Sequence, residues 1–222
     1  MKKTAIVSCY FQHNYGSMLQ AYATQMALDK LDYENETIDI AGFNHEIKKA
    51  KILYFAKASL TSDILISKLG MAKNVLIKKF SKNDYARLSK VRSDRFDAFG
   101  KKYFRLSSRY SSKEELGKKC DENSSVLVGS DQLWLPGNIA ADYYTLNFVP
   151  TTVNSIAYAT SFGQSSLPKD SAKKATIFLK KIKHIGVREE SGQKLVKKLA
   201  GRNVPVVCDP TLLFTGDEWM KI

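Results

Sequence analysis

Apolar and polar positions along this chain alternate between two periods. Short β-branched runs recur, each ending in small or polar residues, and longer stretches of helical spacing lie between them. Residues 4–11 (TAIVSCYF) predict a buried strand. A helix follows over 17–31, with Ser17 as its N-cap and Leu19, Tyr22, Ala23, Met26 and Leu31 near helical spacing. Residues 33–40 predict a second strand, its burial limited by Glu34, Glu36 and Asp39. After a long helical stretch the alternation resumes. Strands are predicted at 125–129, 154–160, 185–187 and 204–208. Helices are predicted at 171–183, capped by Asp170, and at 189–199, closed by Gly201. This alternation predicts the α/β class, with a Rossmann-like parallel sheet flanked by helices. Residues 215–219 read as a cap and first turn just before the chain stops at Ile222, so a longer protein is expected.

Two strand ends carry the candidate chemistry. The run VLVGSDQLW (126–134) passes from apolar residues straight into Gly129, Ser130, Asp131 and Gln132. A buried parallel strand presents polar groups in this way at its C-terminal edge, where open α/β sheets bind ligands. Asp131 is a candidate general base or holder of a sugar hydroxyl, and Trp134 a candidate platform for a sugar face. An Asp cap beside a packing Trp is the alternative. The first strand similarly runs into HNYGS (13–17), where glycine and a helix start favour an anion or hydroxyl-rich ligand. An ordinary strand-to-helix turn competes with that reading. In GVREES (186–191), Glu189 and Glu190 suit a helix first turn, whereas Arg188 at a strand end offers a planar fork for carboxylate or phosphate. A salt bridge with a neighbouring acid is its competitor.

The charge is unevenly distributed. Residues 47–119 hold 20 Lys and Arg against 6 Asp and Glu, a net +14, while the rest of the chain is −1, giving +13 overall. That stretch predicts a basic helical insertion, including a helix at 84–103. A solvated surface, contact with anionic lipid, and nucleic-acid binding are its three readings, and no nucleic-acid signature supports the last. No apolar run approaches the ~20 residues that span a bilayer. The N-terminus is too short and polar before its strand to serve as a secretory signal core. The cysteines, Cys9, Cys120 and Cys208, have neither disulfide nor zinc spacing, and Cys9 and Cys208 read as buried inert thiols. A cytoplasmic location is therefore expected. His13, His45 and His184 lack metal-ligand spacing, and no metal is expected.

Taken in order, six blocks resemble the polysaccharide pyruvyl transferase family: NYGSMLQAYAT (14–24), LVGSDQLW (127–134), YYTLNFV (143–149), IAYATSFG (156–163), GVREESG (186–192) and VCDPTLLF (207–214). The resemblance implies the N-terminal half of a GT-B-like pair of Rossmann-like domains. It implies transfer of a pyruvyl group from phosphoenolpyruvate, the donor substrate, onto two sugar hydroxyls, with a cyclic ketal and phosphate as products and no cofactor. Arg188 then binds the donor. Asn14, Ser17, Gln132 and Trp134 line the acceptor side, and Asp131 acts as base. The family's catalytic histidine is expected in a C-terminal half. On this reading 1–210 form the domain, with the insertion at about 47–119, and 211–222 begin a linker to a second domain, leaving this chain inactive alone. A cell-surface polysaccharide or its lipid-linked precursor is the implied acceptor, with peripheral contact at the inner membrane face and no specific nucleic acid. A nucleotide-sugar glycosyltransferase of GT-B type and a non-enzymatic module binding an anionic polymer or membrane are the alternatives.

Overall fold

The apolar run that opens the chain becomes the middle of a parallel sheet. The computed structural model describes residues 3–58 and 85–222. Its strands are β1 (Lys3–Val7), β2 (Glu34–Thr37), β3 (Ser125–Val128), β4 (Asn154–Thr160) and β5 (His184–Val187). All neighbouring strands are parallel, in the order β2-β1-β3-β4-β5. The strand without polar alternation, β3, is buried along its whole length between β1 and β4. By contrast β2 carries Glu34 and Glu36 and takes the edge, where such residues meet water. Strand order reverses at β1, so a crevice opens where the C-terminal ends of β1 and β3 diverge.

The described helices are α1 (Tyr15–Lys30), α2 (Asn44–Ala58), α3 (Tyr85–Tyr103), α4 (Lys113–Lys119), α5 (Pro136–Ala141), α6 (Lys169–Lys181), α7 (Glu190–Ala200) and α8 (Gly216–Trp219). The main core runs from Val7, Val126 and Val128 of the sheet to Phe43, Tyr143, Tyr144, Trp134, Phe162 and Phe178. A smaller cluster, with Tyr10, Met18, Ala21, Phe96 and Phe104, seals α3 against α1.

Several boundaries differ from expectation for local reasons. β1 stops at Val7 because the chain turns there, with the Gln12 amide donating to the Cys9 carbonyl at 3.1 Å. The N-cap of α1 is Asn14, not Ser17: its side chain accepts from the Ser17 amide at 3.1 Å. α6 starts at Lys169 after Pro168, which leaves Asp170 in the first turn rather than at the cap. The strand predicted at 204–208 is reduced to one bridge between Val187 and Val206, since Pro205 has no N–H to extend a ladder. Gly201 closes α7 at φ +71°, and Thr215 with Glu218 forms a capping box on α8.

The basic stretch is helical only in part. Its helix at 84–103 appears as α3, but beyond it the chain runs extended beside β2. The Thr37 amide donates to the Arg105 carbonyl at 2.7 Å, and the Ser107 amide to the Thr37 carbonyl at 2.9 Å. An edge strand with free backbone groups recruits such a partner. Residues 59–84 of the predicted insertion lie outside the described residues. Where this segment passes the end of β2, Gly42 abuts the Tyr110 backbone: a Cβ at Gly42 would lie 1.9 Å from the Tyr110 carbonyl oxygen. Gly42→Ala is therefore expected to lower stability by about 3 kcal/mol through forced backbone displacement. A urea denaturation midpoint equal to that of the parent would disprove this contact.

Candidate active site

The crevice is a cleft of about 980 Å³, lined by Gln12, Asn14, Ser17, Gln20, Asp131, Gln132, Arg188 and Asp209, with Lys51 and Trp219 among the other walls. Asp131 is its hub. One carboxylate oxygen accepts from the Ser17 hydroxyl at 2.7 Å and the Cys9 thiol at 3.2 Å; the other accepts from the Gln132 amide at 2.7 Å. Because Asn14 provides the cap, Ser17 sits one turn inside α1 with its hydroxyl free to reach across to Asp131. Burial, and then the Asp131 charge, push the Cys9 thiol up, so it stays protonated and acts as a donor.

Asp131 adopts φ +88°, a left-handed conformation unusual for a residue with a side chain. Tertiary contacts hold it there. The Ser161 amide donates to the Asp131 carbonyl at 3.0 Å, and the Trp134 amide to the Ser161 carbonyl at 3.0 Å. Thr160, at the irregular end of β4, donates its hydroxyl to the Gly129 carbonyl at 3.0 Å. Such local strain, of order 1–3 kcal/mol, persists where surroundings over-determine it.

A second polar group lies at the ends of β3 and β5. Arg188 donates from Nε to Glu189 at 3.0 Å, and from Nη1 to Asp209 and to Ser130 Oγ, both at 3.4 Å. Burial opposes the Arg188 charge, but Glu189 and Asp209 outweigh it and raise the pKa. Burial likewise works against ionised Asp209. Hydrogen bonds from Ser130 at 2.5 Å and from the Thr211 amide and hydroxyl, with Arg188 beside them, more than offset it and hold Asp209 below its ordinary value of 3.8. A carboxylate lowered on folding stabilises above its unfolded pKa and loses that contribution as pH falls through the folded one. On acidification below about pH 4 the parent chain should therefore lose more stability than Asp209→Asn, measured by denaturant melts across pH. Parallel pH profiles would rule out the linkage.

The expected site residues separate into two groups. Asn14, Ser17, Asp131, Gln132 and Arg188 all line the cleft. Trp134 does not, and its expected stacking on a sugar is corrected. It is 0 % exposed, its ring centroid lies 5.0 Å from Phe162 and 5.2 Å from Phe178, and its indole N–H donates to the Tyr144 carbonyl at 3.0 Å. The turn set by Asp131 sends Trp134 under the sheet edge into the core. Cys208 is exposed rather than buried, because 204–208 forms no ladder that would cover it. Gln20 and Lys51 escaped the sequence reading. Gln20 donates to the Ser17 carbonyl at 2.8 Å and to Cys9 Sγ at 3.5 Å. No described histidine lines the cleft: His13 is tied to Asp97 at 2.9 Å on α3, and His45 and His184 are exposed. Among the described residues, no group of three His, Cys, Asp or Glu side chains is placed to hold a metal ion.

A parallel sheet with a polar cleft at its topological switch point defines an α/β ligand-binding domain whose chemistry is carried by strand-end loops. Residues 14–222 match the family model described as polysaccharide pyruvyl transferase. The chain thus belongs to the polysaccharide pyruvyl transferase family, a family of transferases that act on a saccharide acceptor. No curated protein and no solved structure matches it. Among the described residues, no helix is long and apolar enough to cross a membrane.

Proposed function

We propose that this cleft binds phosphoenolpyruvate and a saccharide for transfer of the pyruvyl group, with Asp131 as base toward the acceptor hydroxyl. The observation that carries the reading is the family match over 14–222, coupled to a carboxylate held at the switch-point crevice. Ser17 and Cys9 fix the orientation of Asp131. Ser17, Asn14 and Gln132 supply polar contacts for sugar hydroxyls, and Arg188 faces the donor from the opposite wall. In the reaction, the methylene carbon of phosphoenolpyruvate gains a proton and its central carbon becomes electrophilic. One hydroxyl adds there and gives up its proton. The second hydroxyl then displaces phosphate, which leaves with the bonding electron pair and takes up that hydroxyl's proton, and the ketal closes. Asp131 takes the proton of an attacking hydroxyl. A lipid-linked saccharide at the cytoplasmic face of the membrane is the acceptor we favour, since a basic surface suits anionic headgroups.

The test is binding first. Phosphoenolpyruvate should bind saturably and raise the melting temperature, whereas nucleotide-sugars should not. Stabilisation by a UDP-sugar alone would replace this reading with a glycosyltransferase. In the native gene product, phosphate release from phosphoenolpyruvate should then depend on added saccharide.

A further inference from the structure

Among the described residues, two cationic side chains line the cleft, and they are not equivalent. Arg188 is compensated by Glu189 and Asp209. Lys51 has no such partner: among the described residues no carboxylate or other acceptor lies within ion-pair or hydrogen-bond distance of its ammonium. Its placement follows from the helix. On α2, residues 47, 50, 51, 54 and 58 turn inward at helical spacing, while Lys48, Lys49, Ile52, Leu53 and Lys57 are exposed. Lys51 therefore shares the face of buried Ile47 instead of joining the solvated lysines beside it. α2 is held over this part of the cleft by close packing on α5, where a Cβ at Gly137 would lie 3.2 Å from the Phe55 ring. Burial pushes the Lys51 ammonium below its ordinary pKa. An uncompensated, half-buried charge is unfavourable on its own and calls for a counter-charge from elsewhere.

We propose that Lys51 is the anion anchor of the cleft, its ammonium binding the phosphate group of a small phosphorylated substrate. The N-terminal end of α1 enters the same cleft, but its first turn already faces the Asp131 carboxylate through Ser17 at 2.7 Å, so the ammonium of Lys51 is the group left to meet an anion. Naming that anion as phosphoenolpyruvate rests on the proposed function; the anion site itself does not. Arg188, already neutralised by two acids, then positions the rest of the donor instead of supplying its main counter-charge.

Isothermal titration of the 222-residue chain with phosphoenolpyruvate, inorganic phosphate and pyruvate tests this. Lys51→Met should weaken phosphoenolpyruvate and phosphate roughly tenfold or more, as loss of a charged hydrogen bond does. Pyruvate, lacking phosphate, should be bound weakly and respond little to the substitution. Lys51→Arg should stay close to the parent. Lys51→Met should also melt at a higher temperature than the parent, because it removes an unpaired charge and keeps the aliphatic stem; a lysine kept for packing or for a hidden ion pair would give the opposite shift. Parent-like phosphoenolpyruvate affinity in Lys51→Met would overturn the anchor and leave the donor reading standing. Lys51-dependent phosphate binding, with phosphoenolpyruvate no tighter than phosphate, would keep the anchor and remove that donor. No binding of any of the three anions overturns the anchor.

Discussion

Asp131→Asn is expected to reduce saccharide-dependent phosphate release by about 10²–10⁴-fold, the usual contribution of a positioned general base. Asparagine fills the same space but cannot accept a proton. It also offers one acceptor oxygen where Asp131 receives hydrogen bonds from Ser17, Cys9 and the Gln132 amide. One of those donors would face an NH₂ group, so a stability loss of about 1–3 kcal/mol accompanies the change. Asp131→Gly separates the two effects. Glycine adopts φ +88° without steric penalty and relieves the strain, so the fold should persist while turnover is lost. Rates must be taken well below each variant's melting temperature. Phosphate release at the parental rate in folded Asp131→Gly would remove Asp131 from the chemistry. Ser17→Ala should have a smaller effect, since it removes only the hydroxyl that orients the carboxylate.

Trp134→Ala is expected to destabilise the chain by about 4 kcal/mol, close to the whole margin of many domains. The side chain is fully buried between Phe162 and Phe178, so truncation leaves a cavity the size of an indole. Trp134→Phe should cost less in packing. It still orphans the Tyr144 carbonyl that accepts the indole N–H, a penalty of about 1–3 kcal/mol. Any loss of saccharide affinity in Trp134→Phe should be no larger than its loss of fold predicts. A folded variant with parental stability and abolished saccharide binding would restore the stacking role that the buried position argues against.

Much of the local architecture was legible because β-branched runs and helical spacing report which face of an element is buried. Asn154–Thr160 forms the strand predicted for it, and the helix predicted at 189–199 appears one residue later, with Gly201 closing it. The strand-end rule likewise drew attention to Ser17, Asp131 and Arg188, all of which line the cleft. The errors have physical causes. Ser17 looked like a cap because it precedes an apolar stretch, but Asn14 three residues earlier is equally suited and takes the position. Trp134 was read by its proximity to Asp131 in sequence, and a left-handed turn at Asp131 directs the two side chains to different environments. Lys51 was one of 20 basic residues in a stretch read as surface, and composition does not single out the lysine on the inward face.

Taken alone, the sequence determined the α/β class, the sites where strands give way to polar turns, and the concentration of positive charge in one stretch. Those properties follow from side-chain period and local backbone preference. The tertiary structure decided which strand lies beside which. The order β2-β1-β3-β4-β5 places the crevice between β1 and β3, and brings Ser17 and Asp131, 114 positions apart, to 2.7 Å. It also placed Asp209 against Arg188 and, among the described residues, left Lys51 in the cleft with no ion-pair partner. Local preferences are blind to such pairings, because long-range contacts are selected by packing and charge compensation across the assembled core.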